Sequence, residues 1–120
     1  MARAELSLPI LSLVILLMSF NPGGTLRIVY GQRTWCVAKP SSDDATLIAN
    51  INYACSQVDC TILRKGCPCS YPDILINHAS VAMNLYYQSR GRNSWNCNFK
   101  NSALIVVTDP SYGNCIYPCQ

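Results

Sequence analysis

Apolar and polar positions follow three different rhythms along the chain. From Leu6 to Phe20 run 15 uncharged, mostly apolar residues behind Arg3 and Glu5, ended by Asn21-Pro22-Gly23-Gly24. Such a run is shorter than the ~20 residues that cross a bilayer as a helix. A basic residue, an apolar run and a small-residue exit together form the pattern of a secretory leader. Val29 and Gly31 supply that exit, which places the leader over residues 1–31 and the mature chain over 32–120.

Beyond the leader the period changes. Arg33 to Lys39 (RTWCVAK) is β-prone and stops at Pro40, as suits a first edge strand. Ser41-Ser42-Asp43-Asp44 then offers N-cap residues. Leu47, Ile48, Ile51, Ala54 and Cys55 fall on one face of a helix over Asp43 to about Cys55. Cys55 and Cys60 are close enough in sequence for the loop between them to close on itself at the helix end. Thr61 to Pro72, punctuated by Gly66, Pro68 and Pro72, reads as an irregular connector. Asp73 is placed to cap a second helix whose stripe is Leu75, Ala79, Ala82, Met83 and Tyr86, with Gly91 as its stop. Trp95 to Lys100 and Ala103 to Thr108, parted by Asn101-Ser102, predict a hairpin. Asp109 to Gly113 predicts a turn, and Cys115 to Tyr117 a last short strand. No internal repeat or second folded domain is visible.

Charge narrows the partners little but usefully. The segment after Gly31 carries seven basic residues against five Asp, a net of +2. That is too weak and too scattered for a nucleic-acid footprint, the only tight basic pair being Arg64-Lys65. Cysteine changes the picture more, because the chain contains 8 Cys. A domain this small buries a thin core, and cross-links in an oxidising compartment compensate. Eight thiols allow about 105 pairings, and sequence spacing alone leaves them open. Cys67-Pro68-Cys69 resembles a thiolate clamp, but no second close pair with zinc-ribbon spacing accompanies it, and His78 is the only imidazole. Disulfides rather than a metal, and no cofactor, are therefore expected.

The residue inventory also restricts the chemistry. Glycoside hydrolysis needs two carboxyl groups, and after Gly31 the chain contains no Glu. Its Asp residues 43, 44, 59, 73 and 109 all stand at helix starts, beside Cys60 or in a turn, where capping accounts for them. His78 lies on a helix flank, and no Gly-x-Ser-x-Gly elbow exists. What remains is recognition by rings with polar tips: Trp35, Tyr53, Tyr71, Tyr86, Tyr87, Trp95, Tyr112 and Tyr117. Such rings lie against the C–H face of a sugar while hydroxyl and N–H groups reach its hydroxyls. On the helix wheel Tyr86 faces the middle of the stripe and is assigned to the core. Tyr87, turned by about 100°, is assigned to the rim.

The order of motifs is itself distinctive: Thr34-Trp35-Cys36-Val37-Ala38-Lys39, Asn52-Tyr53-Ala54-Cys55, Val58-Asp59-Cys60, and His78-Ala79-Ser80 running on to Ala82-Met83-Asn84 and Tyr86-Tyr87-Gln88. Gly91-Arg92-Asn93, Trp95-Asn96-Cys97-Asn98-Phe99 and Asp109-Pro110-Ser111-Tyr112-Gly113 complete it. This series resembles the plant X8 domain, also called carbohydrate-binding module family 43, across essentially the whole mature chain. The resemblance implies an α+β fold, a small disulfide-rich domain with two main helices packed on a short antiparallel sheet. It also implies binding to β-1,3-glucan such as callose, without catalysis, in the plant cell wall. It implies the pairs Cys36–Cys97, Cys55–Cys60 and Cys69–Cys115; Cys67 and Cys119 are then surplus and are expected to bond to each other. Candidate glucan contacts are Tyr87, Trp95, Tyr71, Tyr112, Asn84, Arg90 and Arg92.

Where the family has a Gly-Gly stretch, a Cys and then an aromatic followed by Pro-Asn-Thr, this chain reads Lys65-Gly66-Cys67-Pro68-Cys69-Ser70-Tyr71-Pro72-Asp73-Ile74, so one loop is altered. The final residues Tyr117-Pro118-Cys119-Gln120 form no hydrophobic tail, and no Asn-x-Ser/Thr sequon occurs. The expectation is a secreted, stand-alone monomer with no membrane anchor once the leader is removed. Two rival readings are an eight-cysteine lipid carrier or defence protein, which would require an adjacent Cys-Cys pair that is missing, and a β-1,3-glucan hydrolase, which the missing Glu disfavours.

Overall fold

The computed structural model describes residues 32–119, and the leader expected over residues 1–31 lies outside them. Two helices and a two-stranded antiparallel sheet make up the regular structure: β1 (Trp35–Ala38), α1 (Asp44–Gln57), α2 (Leu75–Ser89) and β2 (Ala103–Val106). Single 3-10 turns occupy Thr61–Leu63 and Ser94–Asn96. This is the α+β, disulfide-rich architecture that the family resemblance implies.

The first helix begins as its sequence dictates. Asp43 holds an extended backbone and accepts a 2.8 Å hydrogen bond from the Thr46 N–H, satisfying one of the donors a helix start leaves open. Leu47, Asn50 and Ala54 point inward, whereas Ile48, expected on the buried stripe, is exposed. At the far end Cys55 bonds to Cys60 and closes the exit of α1.

The second helix is the centre of the molecule. It packs against α1 on one side and β1 on the other, so Ala79 through Asn84 are buried without interruption, and Tyr87 and Gln88 with them. Ala79, Met83 and Tyr87 join Cys36, Ala38 and Leu47 in one apolar cluster. Val81 and Leu85 join Trp35, Cys69, Cys115 and Tyr117 in a second. Successive strand residues face opposite ways, and the strands divide accordingly: Cys36, Ala38 and Ala103 serve the first cluster, Trp35, Val37 and Val106 the second.

The helix stops in a Schellman turn. The Arg92 N–H reaches the Tyr87 carbonyl at 3.0 Å and the Gly91 N–H the Gln88 carbonyl at 3.1 Å, with Gly91 at φ 85°. Its start differs from expectation. Ile74 is the N-cap and no side chain caps it. Asp73 lies instead with an oxygen 3.7 Å from His78 Nδ1.

The hairpin expected between residues 95–100 and 103–108 does not form. β2 pairs with β1 in the register Trp35↔Val106, Cys36↔Ile105, Val37↔Leu104 and Ala38↔Ala103. Ser94–Asn96 is a helical turn, and Phe99, Lys100 and Asn101 take φ of 47°, 55° and 67°, which no strand accommodates. The Cys36–Cys97 bond draws this segment to β1. The last strand is also absent: Cys115 makes one isolated bridge with Tyr112.

Cys36–Cys97, Cys55–Cys60 and Cys69–Cys115 are bonded. The bond expected between Cys67 and Cys119 is missing, and both are thiols. Each is fixed by its own surroundings. Cys67 sits in a turn, its N–H on the Arg64 carbonyl and its own carbonyl accepting from the Ser70 N–H. The Cys119 thiol reaches the Thr34 carbonyl at 3.6 Å.

Candidate glycan-binding grooves

A groove of about 500 Å³ opens where the outer side of α1, the end of α2 and the segment 95–100 meet. Three rings form one wall. Tyr53 and Tyr86 stand 5.4 Å apart between centroids, Tyr86 and Phe99 5.7 Å, and Tyr53 and Phe99 6.4 Å, all in edge-to-face geometry. Trp95 lies on the rim with 73% of its surface exposed, and Tyr53 with 50%.

The left-handed residues 99–101 shape this groove. The Asn98 side chain accepts from the Asn101 N–H at 3.1 Å, and the Ser102 N–H donates to the Asn98 carbonyl at 3.0 Å, holding the turn closed. Each non-glycine residue in this region costs on the order of 1–3 kcal/mol, so the surroundings must over-determine it. Below, Asn50 donates to Ser102 Oγ at 2.8 Å, joining α1 to the same turn.

Electrostatics add a cation. The Arg90 guanidinium lies 4.6 Å from the Tyr86 ring centroid and donates to Gln57 Oε1 at 3.1 Å. Tyr53 and Tyr86 share a 3.4 Å hydroxyl contact. That hydrogen bond raises the Tyr53 phenol above its ordinary value and, with Arg90 alongside, lowers that of Tyr86. None of the nine lining residues bears a carboxylate, and Asn96, Asn98 and Lys100 supply donors and acceptors beside the rings. Such a surface stacks on a sugar ring and hydrogen-bonds its hydroxyls.

The five Asp are engaged elsewhere. Asp43 caps α1 and Asp44 lies in its first turn. Asp59 accepts from the Thr61 N–H at 2.8 Å, Asp109 from the Ser111 N–H at 2.9 Å, and Asp73 neighbours His78. The hydrogen bonds from Thr46, Thr61 and Ser111 hold Asp43, Asp59 and Asp109 below the usual carboxylate range.

Of the residues expected to touch glucan, the structure brings Trp95 to this groove, with Arg90 behind its wall. Tyr71 and Tyr112 line a separate groove of about 650 Å³ formed by residues 66–72 and 112–114. Arg92 serves the helix stop through its backbone. Tyr87 and Asn84 are interior. Tyr87 is only 2% exposed, its hydroxyl bonded to Thr34 Oγ1 at 2.8 Å. Asn84 accepts from the Cys36 N–H at 3.1 Å and donates to the Pro118 carbonyl at 2.8 Å. The rim and core roles assigned to Tyr87 and Tyr86 are therefore exchanged. With both α1 and β1 on α2, its buried arc is wider than one stripe, and Tyr86 is the residue left facing the groove.

Tyr53, Phe99, Asn96, Asn98 and Lys100 were not among the expected contacts. The signal for all but Tyr53 is the interleaving of aromatic and amide residues in Trp95-Asn96-Cys97-Asn98-Phe99-Lys100, which a strand reading obscures.

The family model for the X8 domain matches residues 34–104. The chain belongs to the X8 domain family. A glucan endo-1,3-beta-D-glucosidase of Olea europaea is 51% identical over 86 residues, 71% of this chain and 19% of that protein. A glucan endo-1,3-beta-glucosidase of Triticum aestivum is 45% identical over 87 residues, 72% of this chain and 19% of its own. The major pollen allergen Ole e 10 of Olea europaea is 43% identical over 89 residues, 72% of either chain. This X8 chain thus spans about a fifth of the length of the two glucosidases and nearly three quarters of the allergen.

Proposed function

We propose that this X8 protein is a secreted, non-catalytic β-1,3-glucan-binding module of the plant cell wall. The observation that carries the reading is the groove of Tyr53, Tyr86, Phe99 and Trp95, ringed with amides and free of carboxylates. A neutral polysaccharide suits such a surface, because ring faces take up its C–H edges and the amides take up its hydroxyls. The kinship with proteins named glucan endo-1,3-beta-glucosidases supports β-1,3-glucan as the polysaccharide. Absence of catalysis is supported by the occupation of each Asp in caps, turns and a His78 contact.

Export is supported by three disulfides, which persist in oxidising compartments. The leader is assigned to residues 1–31.

Pull-down on insoluble β-1,3-glucan tests the reading. The oxidised protein is expected to bind curdlan, and Trp95→Ala to bind at least tenfold more weakly, a loss of about 1 kcal/mol or more of ring contact. Its thermal unfolding stays unchanged, because the ring stands at the surface. Equal retention of parent and variant, or release of reducing sugar from laminarin, refutes the assignment.

A further inference from the structure

The second groove shares no lining residue with the first. The first lies beside the cluster containing Phe99 and Ala103. The second lies beside the cluster of Cys69, Cys115 and Tyr117, on the other side of the sheet. Its two walls, the loop 66–72 and the turn 112–114, are joined by the Cys69–Cys115 bond. The altered stretch of this chain, from Lys65 to Ile74, forms one wall.

Several observations define what fits there. Tyr71 presents 81% of its surface, the most of any large apolar or aromatic residue described. Pro68 and Pro72 flank it with rigid rings, and Ser70 and Asn114 bring polar tips. None of the nine lining residues is charged, which selects a neutral ligand over an anion or an acidic peptide. The Tyr112 hydroxyl is enclosed and has no hydrogen-bond partner. An enclosed polar group left so costs about 1–3 kcal/mol. Tyr112 lines this groove, and a sugar hydroxyl is a donor and acceptor of the kind its phenol lacks.

We infer that the groove of Tyr71 and Tyr112 is a second binding site for a neutral β-1,3-glucan chain, so that one module holds two glucan segments and cross-links them. The inference rests on the reading of the first groove as a glucan site. Two sites on different sides of the sheet act on a polymer as a bivalent clamp, whose avidity exceeds that of either site by ~10²-fold or more without any new contact.

Titration of the disulfide-complete protein with laminarihexaose separates the possibilities. The parent is expected to take up two oligosaccharides, Trp95→Ala one, Tyr71→Ala one, and the double variant none. With long soluble β-1,3-glucan the parent gives turbid, sedimenting complexes. Each single variant stays clear and binds the polymer on the order of 10²-fold more weakly. Because both rings are at the surface, unchanged thermal unfolding of the variants certifies their fold. One oligosaccharide per parent molecule, with Tyr71→Ala binding like the parent, overturns the second site and leaves the first standing. A parent that binds no β-1,3-glucan overturns both.

Discussion

At the scale of single residues, the most informative side chains are those of α2 that face the outer edge of β1. A strand in a two-stranded sheet has one edge without a partner strand, and its buried N–H groups still require acceptors. Asn84 Oδ1 takes the Cys36 N–H and Ser80 Oγ the Ala38 N–H at 2.9 Å, while Gln88 Nε2 reaches the Thr34 carbonyl at 2.9 Å. A helix thus plays the part of a missing third strand. Replacing Asn84 by Leu strands the Cys36 N–H and the Pro118 carbonyl, each orphaned group costing roughly 1–3 kcal/mol. Tyr87→Phe removes only the bond to Thr34 and costs about 1 kcal/mol. Denaturant titration is expected to show this ranking, with curdlan binding by the folded fraction of Tyr87→Phe equal to that of the parent. A selective binding loss in Tyr87→Phe with unaltered stability would return that ring to the site. The sequence reading placed both residues at the ligand, whereas both are interior, because burial on two sides of one helix has no signature in a single stripe.

At the scale of elements, the helices were legible and the sheet partner was not. Cap, periodicity and stop signals are local: Asp43, the Leu47/Ala54 spacing and Gly91 act within a few residues of themselves. Gly91 at φ 85° has no atom beyond its immediate chain neighbours within 4 Å of where a Cβ would stand. Gly91→Ala therefore meets no clash and costs only the left-handed backbone, about 1–2 kcal/mol. A fall of the thermal midpoint is the expected outcome, and an unchanged midpoint would show that the Schellman turn does not fix the end of α2. β2, by contrast, chooses a partner 65 or more residues away in sequence, at Trp35–Ala38. No local pattern records that choice.

At the scale of the whole molecule, stability is expected to form a plateau in pH with two limbs. The carboxylates of Asp43, Asp59 and Asp109 are held below their ordinary value of 3.8 by hydrogen bonds to neighbouring residues. Between the folded and unfolded values the unfolded chain binds more protons, so stability falls as pH drops below about 4. Burial pushes the Tyr117 phenol well above its ordinary 10.0, with Tyr112 adding to the effect. The unfolded chain then loses that proton first, and stability falls again as pH rises past 10. Thermal midpoints from pH 2 to 11 check both signs, and a midpoint that rises on either limb contradicts the assignment. The three disulfides set the level of the plateau, because their loops constrain the unfolded chain.

The α+β class came with the family resemblance, while the sequence by itself determined the two helices, the Asp43 cap and the wealth of cysteine that cross-links the fold. These follow from short-range periodicity, capping chemistry and composition, which act along the chain. Only the tertiary structure decided that β2 pairs with β1, that Cys67 and Cys119 stay apart as thiols, and that Trp95 and Tyr71 belong to different grooves. Each of those outcomes depends on which distant segments share a buried volume, and α2, packed from both sides, settles that competition through contacts no single segment encodes.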